Sequence, residues 1–462
     1  MREFEDNCQE ISVEKCGIYI HIPFCRKKCL YCDFFSGGAK NVDWQLYADA
    51  IVNELKERRH ELLNCSSAQS LSVPTMQSLS NPAVEQCALP ATLSTLPATL
   101  YIGGGTPSLM PVEVMREMVA EIKRIVGKTD SWEEFTIEIN PEDVTEDNCR
   151  AWRECGVNRV SMGIQTLNDA ELKAIGRTHD SAAALSGLRM LKRYFDNVTI
   201  DLIFGLPNQT IDSWRKTVDT VLREHPQHIS AYSLMFEEGT AMTILRDQGR
   251  LSFPDEEVCL AMWNYLTDTL AQNGYRRYEI SNYALPGYES IHNRRYWLGN
   301  PYIGLGVAAH SYDGNNIRRA NPHNIRAYIS RFNPDLQQKK QSYKQVGSHS
   351  SNLLLPNDHP RPETTGAIKE VGEVLDRVPF YEEEKLTDKE LLEEKVMLSM
   401  RMAEGLDLDE FRTKFGENTC SLLLKAAEKQ IKAGNLALHG NHLRLTPAGI
   451  MISDDLILQL IM

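Results

Sequence analysis

Gly17-Ile-Tyr-Ile-His-Ile-Pro-Phe-Cys25-Arg-Lys-Lys-Cys29-Leu-Tyr-Cys32 is an apolar run that stops at a proline and then delivers three cysteines spaced C-x3-C-x2-C. Apolar residues on both faces mark the run as a strand buried inside a parallel sheet. The loop behind it offers three thiolates. A cube of four irons takes one thiolate per iron, so three ligands leave one iron open to an exchangeable ligand. The amine and carboxylate of S-adenosylmethionine can chelate that iron, and an electron passed to the sulfonium breaks a carbon–sulfur bond to give a radical. The competing reading is a tetrahedral zinc site made by Cys25, Cys29, Cys32 and His21.

Outward from this stretch, short β-rich runs recur between amphipathic segments. They lie at Ile18 to Ile22, Thr99 to Ile102, Phe135 to Ile139, Arg159 to Ile164, Val198 to Phe204 and Ile229 to Met235. This βα repetition predicts an α/β fold with a parallel sheet under helices, and six units suit a partial (βα)6 barrel. Polar residues gather where the strands end, at the mouth of such a barrel. Residues 1–16 form an N-terminal extension, and 17–332 the barrel with its following segment. Within it, 64–97 is a Ser-, Thr-, Leu- and Pro-rich insertion with one acidic and no basic residue. Residues 333–385 read as a linker or surface excursion, and 386–462 as a winged-helix-like module opened by the capping box Thr387-Asp-Lys-Glu390.

The 462 residues carry 63 acidic and 50 basic side chains, a net charge of −13, which disfavours nucleic acid as a partner. The C-terminal module is itself net acidic, so its wing is not expected to bind DNA. Eleven cysteines without a leader-like start at Met1 to Glu5 predict a reducing, cytoplasmic setting. No apolar run approaches the roughly 18 residues that span a bilayer, leaving at most peripheral membrane contact.

Tyr101-Ile-Gly-Gly-Gly-Thr-Pro-Ser108 ends the second strand, and its glycines permit close backbone approach to a ligand. Taken alone it is a tight turn. Glu138, Gln165 and Asp201 fall at or in strands three to five, and Arg177 follows in Ile-Gly-Arg-Thr-His179. Each, taken singly, is an ordinary strand-end or surface polar group. Behind the cysteine loop, these segments together resemble the radical SAM superfamily and, within it, the subgroup around oxygen-independent coproporphyrinogen III oxidase. The resemblance implies the partial barrel, a 4Fe-4S cluster on Cys25, Cys29 and Cys32, and S-adenosylmethionine among Tyr19, Gly104, Gly105, Thr106, Glu138, Gln165, Arg177 and Asp201. Tyr19 has an alternative as a core aromatic.

Two features separate the branches of that subgroup. The decarboxylating oxidases carry a further cysteine two residues after the third ligand, where this chain has Phe34. His292-Asn-Arg-Arg-Tyr-Trp297 is similar to the HNxxYW signature of the HemW heme chaperones. That branch implies heme as cargo, His292 as its axial ligand, a heme-accepting protein and an electron donor for the cluster. The alternatives are a loop histidine with Tyr296 and Trp297 as core anchors, the decarboxylating oxidase itself, and radical chemistry on heme. His310 is a second imidazole, expected to serve as a hydrogen-bonding group.

Overall fold

The computed structural model describes residues 16–64, 97–128, 131–333 and 380–461. The N-terminal extension, the body of the 64–97 insertion and most of the 333–385 segment lie outside the described residues. Six parallel strands stand side by side in chain order: β1 (Gly17–Ile22), β2 (Thr99–Gly104), β3 (Glu134–Ile139), β4 (Arg159–Gln165), β5 (Val198–Phe204) and β6 (His228–Ser233). Branched residues meet across the ladder, Ile20 beside Ile102, Ile102 beside Ile137, Ile137 beside Val160 and Ile200 beside Ile229. All are buried, as a sheet covered on both faces requires.

Helices return the chain between strands. α1 (Trp44–Asn64) and α2 (Val112–Val126) follow β1 and β2, with Met115, Met118, Val119, Ile122 and Val126 of α2 facing the sheet at helical spacing. α3 (Glu146–Cys155), α4 (Asp169–Ala174), α5 (Ser181–Leu191) and α6 (Ile211–Arg223) continue the pattern. Gly127 and Gly156 end α2 and α3 in the left-handed conformation, at φ 73° and 99°. α7 (Ala241–Asp247) and α8 (Glu256–Gln272) complete the layer, with the Trp214 indole donating to the Met262 carbonyl at 2.9 Å.

The sheet does not close, and it extends at both edges beyond the six predicted strands. β7 (Arg276–Arg277) and β8 (Asn282–Ala284) add antiparallel strands beyond β6. Then α9 (Ile291–Leu298) leads to β9 (Tyr302–Leu305), which lies parallel to β1. β10 (His310–Tyr312), β11 (Ile317–Ala320) and, after α10 (Ile325–Phe332), β12 (Glu382–Lys385) complete twelve strands. Residues 382–385, read from sequence as the end of a linker, are therefore sheet. A buried ion pair on α1 staples this extension. Arg58 reaches the Glu54 carboxylate at 2.8 Å, the Gly304 carbonyl at 2.9 Å and the Ser311 hydroxyl at 2.8 Å. Glu54 also accepts from Tyr328 and Asn321.

The C-terminal region comprises α11 (Asp388–Arg401), capped by the predicted Thr387/Glu390 box, β13 (Leu406–Asp407), α12 (Leu408–Phe415), α13 (Glu417–Lys432), β14 (Leu436–His439) and β15 (His442–Leu445). The three strands order as β13-β15-β14. Two short helices, Pro447–Ile450 and Ser453–Ile461, follow. Its buried side chains, Val396, Met400, Phe411 and Leu423 among them, are continuous with the barrel core. Among the described residues, no helix is long and apolar enough to cross a membrane.

Candidate functional site

The cysteine loop leaves β1 at Pro23 and is tied back at several points. Gly37 and Ala39 donate to the carbonyls of Pro23 and Cys25, the Leu30 amide to Ile175, and the Met242 amide to Leu30. These bonds lay the loop across the C-terminal ends of the strands. Cys25, Cys29 and Cys32 are free and half-buried. Burial pushes the Cys25 thiol up and pushes Cys32 up to about 11. Cys25 and Cys29 both act on Cys32 electrostatically, so the three sulfurs are neighbours. Three thiols on one loop match a cube that takes one ligand per iron.

His21 is not available as a fourth zinc ligand. Its Nε2 donates to the Phe35 carbonyl at 3.0 Å, so Nδ1 accepts from the Tyr19 hydroxyl at 2.9 Å.

Below the loop opens a cavity of about 620 Å³ lined by Cys25, Cys29, Cys32, Gly104, Gly105, Thr106, Glu138, Gln165, Arg177 and Asp201. Tyr19 is not on its surface but packs behind the wall, its ring 6.0 Å from that of Tyr101. Gly104 has φ 111°, and a Cβ there would lie 2.6 Å from the His21 ring. A Cβ on Gly105 would lie 2.8 Å from the Phe24 carbonyl. These glycines let β2 close against β1, a packing demand beyond the expected ligand approach.

Glu138 accepts from the Tyr101 hydroxyl at 2.7 Å and the Gly104 amide at 2.9 Å. Burial still raises its carboxyl to about 7, with the Asp201 charge adding to the rise. Burial also raises Asp201, opposed by hydrogen bonds from Ser230 and Ser161. Arg159, 1% exposed, lies beneath both acids and was read from sequence only as the start of a strand. Gln165 sits where β4 slips register against β5, with φ 68°, a left-handed conformation costly for a side chain of its kind. Arg177 donates to the Asn140 side chain and the Gly163 carbonyl, both at 2.7 Å, and approaches the Cys29 sulfur at 3.6 Å. Asn140 in turn donates to Thr106 at 3.3 Å, so it links the glycine segment to Arg177. Its signal in the sequence was its place in Glu138-Ile-Asn-Pro141.

His292, expected from sequence as a heme ligand, lies in the core with its ring centroid 5.1 Å from that of Tyr101. Its ring is fully buried, with Nδ1 2.8 Å from the Thr99 hydroxyl and Nε2 2.8 Å from the Tyr296 hydroxyl. Burial, then the Arg295 and Arg159 charges, lower its pKa to about 3. Each ring nitrogen thus lies within hydrogen-bond distance of a hydroxyl. The neighbouring Asn293 does reach the cavity wall. His310 lies outside the cavity, exposed at the start of β10.

An open parallel half-barrel with a three-cysteine loop over its mouth defines a radical SAM protein. The radical SAM superfamily profile matches residues 97–221, and the HemN C-terminal domain profile matches residues 386–452. The chain is 34% identical over 295 residues to the heme chaperone HemW of Lactococcus lactis, covering 64% of this chain and 69% of that one. It is 27% identical to HemW of Bacillus subtilis over 95% of this chain and 97% of that one. It is 29% identical to the mitochondrial radical S-adenosyl methionine domain-containing protein 1 of Bos taurus, over 97% and 88% of the two chains. The chain belongs to the HemW family. Coproporphyrinogen III oxidase (HemN) of Escherichia coli shares the fold at a TM-score of 0.68 and 19% identity, covering 97% of this chain and 90% of that one.

Radical SAM membership implies a 4Fe-4S cluster and S-adenosylmethionine. The residues present fit both. Three thiols share one loop, and the cavity beside them holds an unpartnered buried Arg177 Nε and an acid poised near neutrality.

Proposed function

We propose that this protein is a heme chaperone that binds heme and hands it to an acceptor protein. Cys25, Cys29 and Cys32 would hold the cluster, with Gly104, Gly105, Thr106, Glu138, Gln165, Arg177 and Asp201 around S-adenosylmethionine. Bound together, these groups supply one-electron chemistry at a sulfonium. Glu138 and Asp201 offer acceptors for amine or hydroxyl protons, and Arg177 offers a donor to a carboxylate. Tyr19 supports the cavity wall from behind.

The observation that carries the choice of branch is Phe34. It stands 67% exposed where the decarboxylating oxidases, by resemblance, carry a cysteine. An exposed aromatic ring can hold a flat apolar cargo and cannot replace a thiol. The partners are then heme, its acceptor and a reductant for the cluster, in a reducing compartment such as the cytoplasm. The net charge of −13 speaks against nucleic acid. Anaerobically purified, cluster-loaded protein should bind hemin at one equivalent and leave coproporphyrinogen III unchanged in the presence of reductant and S-adenosylmethionine. Decarboxylated product, or no hemin binding, overturns this reading.

A further inference from the structure

Resting on the heme-chaperone reading, we infer that heme sits across the outer rim of the barrel mouth, against Phe34, Tyr232 and Met235, with its propionates toward Lys27 and Lys28. These three side chains are 67%, 42% and 66% exposed, and all three line the same cavity as the cluster cysteines. Exposed side chains of this size on one rim leave apolar surface that a planar apolar ligand can cover. Ile203 and Leu234 continue the apolar lining inward.

The charge on the rim is uneven. On the Phe34 side, Arg26 is engaged with Asp143, whereas Lys27 and Lys28 stay exposed beside the cavity, with Asp33 the acidic neighbour there. Lys28 donates to the Phe34 carbonyl at 3.2 Å, which keeps its charge close to the ring. On the Met235 side the charged lining group is Glu237. A dianionic edge therefore fits toward Lys27 and Lys28, and an uncharged edge toward Met235. Methionine suits the second role because its flexible thioether adapts to a curved macrocycle.

The cavity at the HNxxYW helix is a poorer seat. It measures about 310 Å³ between Tyr296, Trp297, Tyr302 and α11. Of its three cations, Arg318 pairs with Glu394 and Lys395 with Glu410, while Lys414 lies over the Phe415 ring at 5.5 Å. The ring nitrogens of His292 beside it each lie within hydrogen-bond distance of a hydroxyl.

Hemin titration of the cluster-loaded full chain tests the rim. Phe34→Ser, Met235→Ser and the pair Lys27→Glu with Lys28→Glu should each raise the dissociation constant about tenfold or more. Iron content and S-adenosylmethionine binding serve as the check that these variants are intact. Leu422→Ser, which removes a 68% exposed apolar side chain from α13, should leave hemin affinity unchanged. Unchanged affinity in the rim variants, with wild-type protein still binding hemin, overturns the rim and leaves the chaperone reading standing. Failure of the wild-type protein to bind overturns both.

Discussion

The Glu134 carboxylate covers the N-terminus of α9 and accepts the His292 backbone amide at 2.9 Å. Its other oxygen takes the Ile291 amide at 2.8 Å, and the Ser290 hydroxyl adds a third bond at 3.1 Å. One acidic side chain at the start of β3 thus holds the HNxxYW helix against the barrel. The helix macrodipole and the Arg159 guanidinium, 3.9 Å away, both favour the anion there.

Glu134→Ala would leave the buried His292 amide, the part-buried Ile291 amide and the Ser290 hydroxyl without this acceptor. The expected loss is about 2–4 kcal/mol of unfolding free energy. Anaerobic denaturant titration should show a lower midpoint with an unchanged slope. Wild-type stability in that variant would show that α9 needs no such cap.

His292 predicts an acid-sensitive fold. Its folded pKa, about 3, is lower than that of an imidazole in an unfolded chain, so the unfolded state takes up the proton first. Its contribution is complete above about pH 6.5 and is lost as pH falls toward 3, at up to about 1.4 kcal/mol per pH unit. His292→Asn should be less stable at neutral pH and show a flatter acid limb when stability is measured across that range. An identical acid limb would place the titration elsewhere.

Much of the barrel was legible because its strands are apolar on both faces, and Val198–Phe204 matches its predicted bounds. The edge strands β7 to β12 were not. They are short, and β11 and β12 carry Arg318, Arg319 and three glutamates that look like surface until Arg319 pairs with Glu383 across the ladder. The site was legible where a motif is local, as in the cysteine loop and the glycine run. It was hidden where meaning depends on distant partners. Glu134 is merely a charge beside a strand until Ser290 arrives 156 residues later. His292 stands in the sequence beside Asn293, and only the fold sets its ring between Thr99 and Tyr296.

Replacing Cys25, Cys29 or Cys32 singly by Ser should prevent stable cluster assembly, because a three-ligand site has no spare donor. Iron and sulfide after anaerobic reconstitution should fall below about a tenth of wild type, while the folding midpoint stays close to that of the unloaded wild-type protein. Full cluster content in any one variant would remove that cysteine from the ligand set.

Arg177 is the joint between the cluster loop and the cavity. One nitrogen spans Asn140 and the Gly163 carbonyl, while another approaches the Cys29 sulfur. Arg177→Ala would leave the Gly163 carbonyl without this donor and remove a cation beside the Cys29 thiol. Outer partners of metal ligands typically carry about 10- to 100-fold in metal affinity, so cluster retention against a chelator should fall by that order. S-adenosylmethionine binding should weaken in parallel, because Asn140 would lose its hold on the glycine segment through Thr106. Arg177→Lys restores charge without the planar fork, so it should recover only part of the cluster retention. Full recovery by lysine would mean that charge alone matters at this position, and no loss in the alanine variant would remove Arg177 from the site.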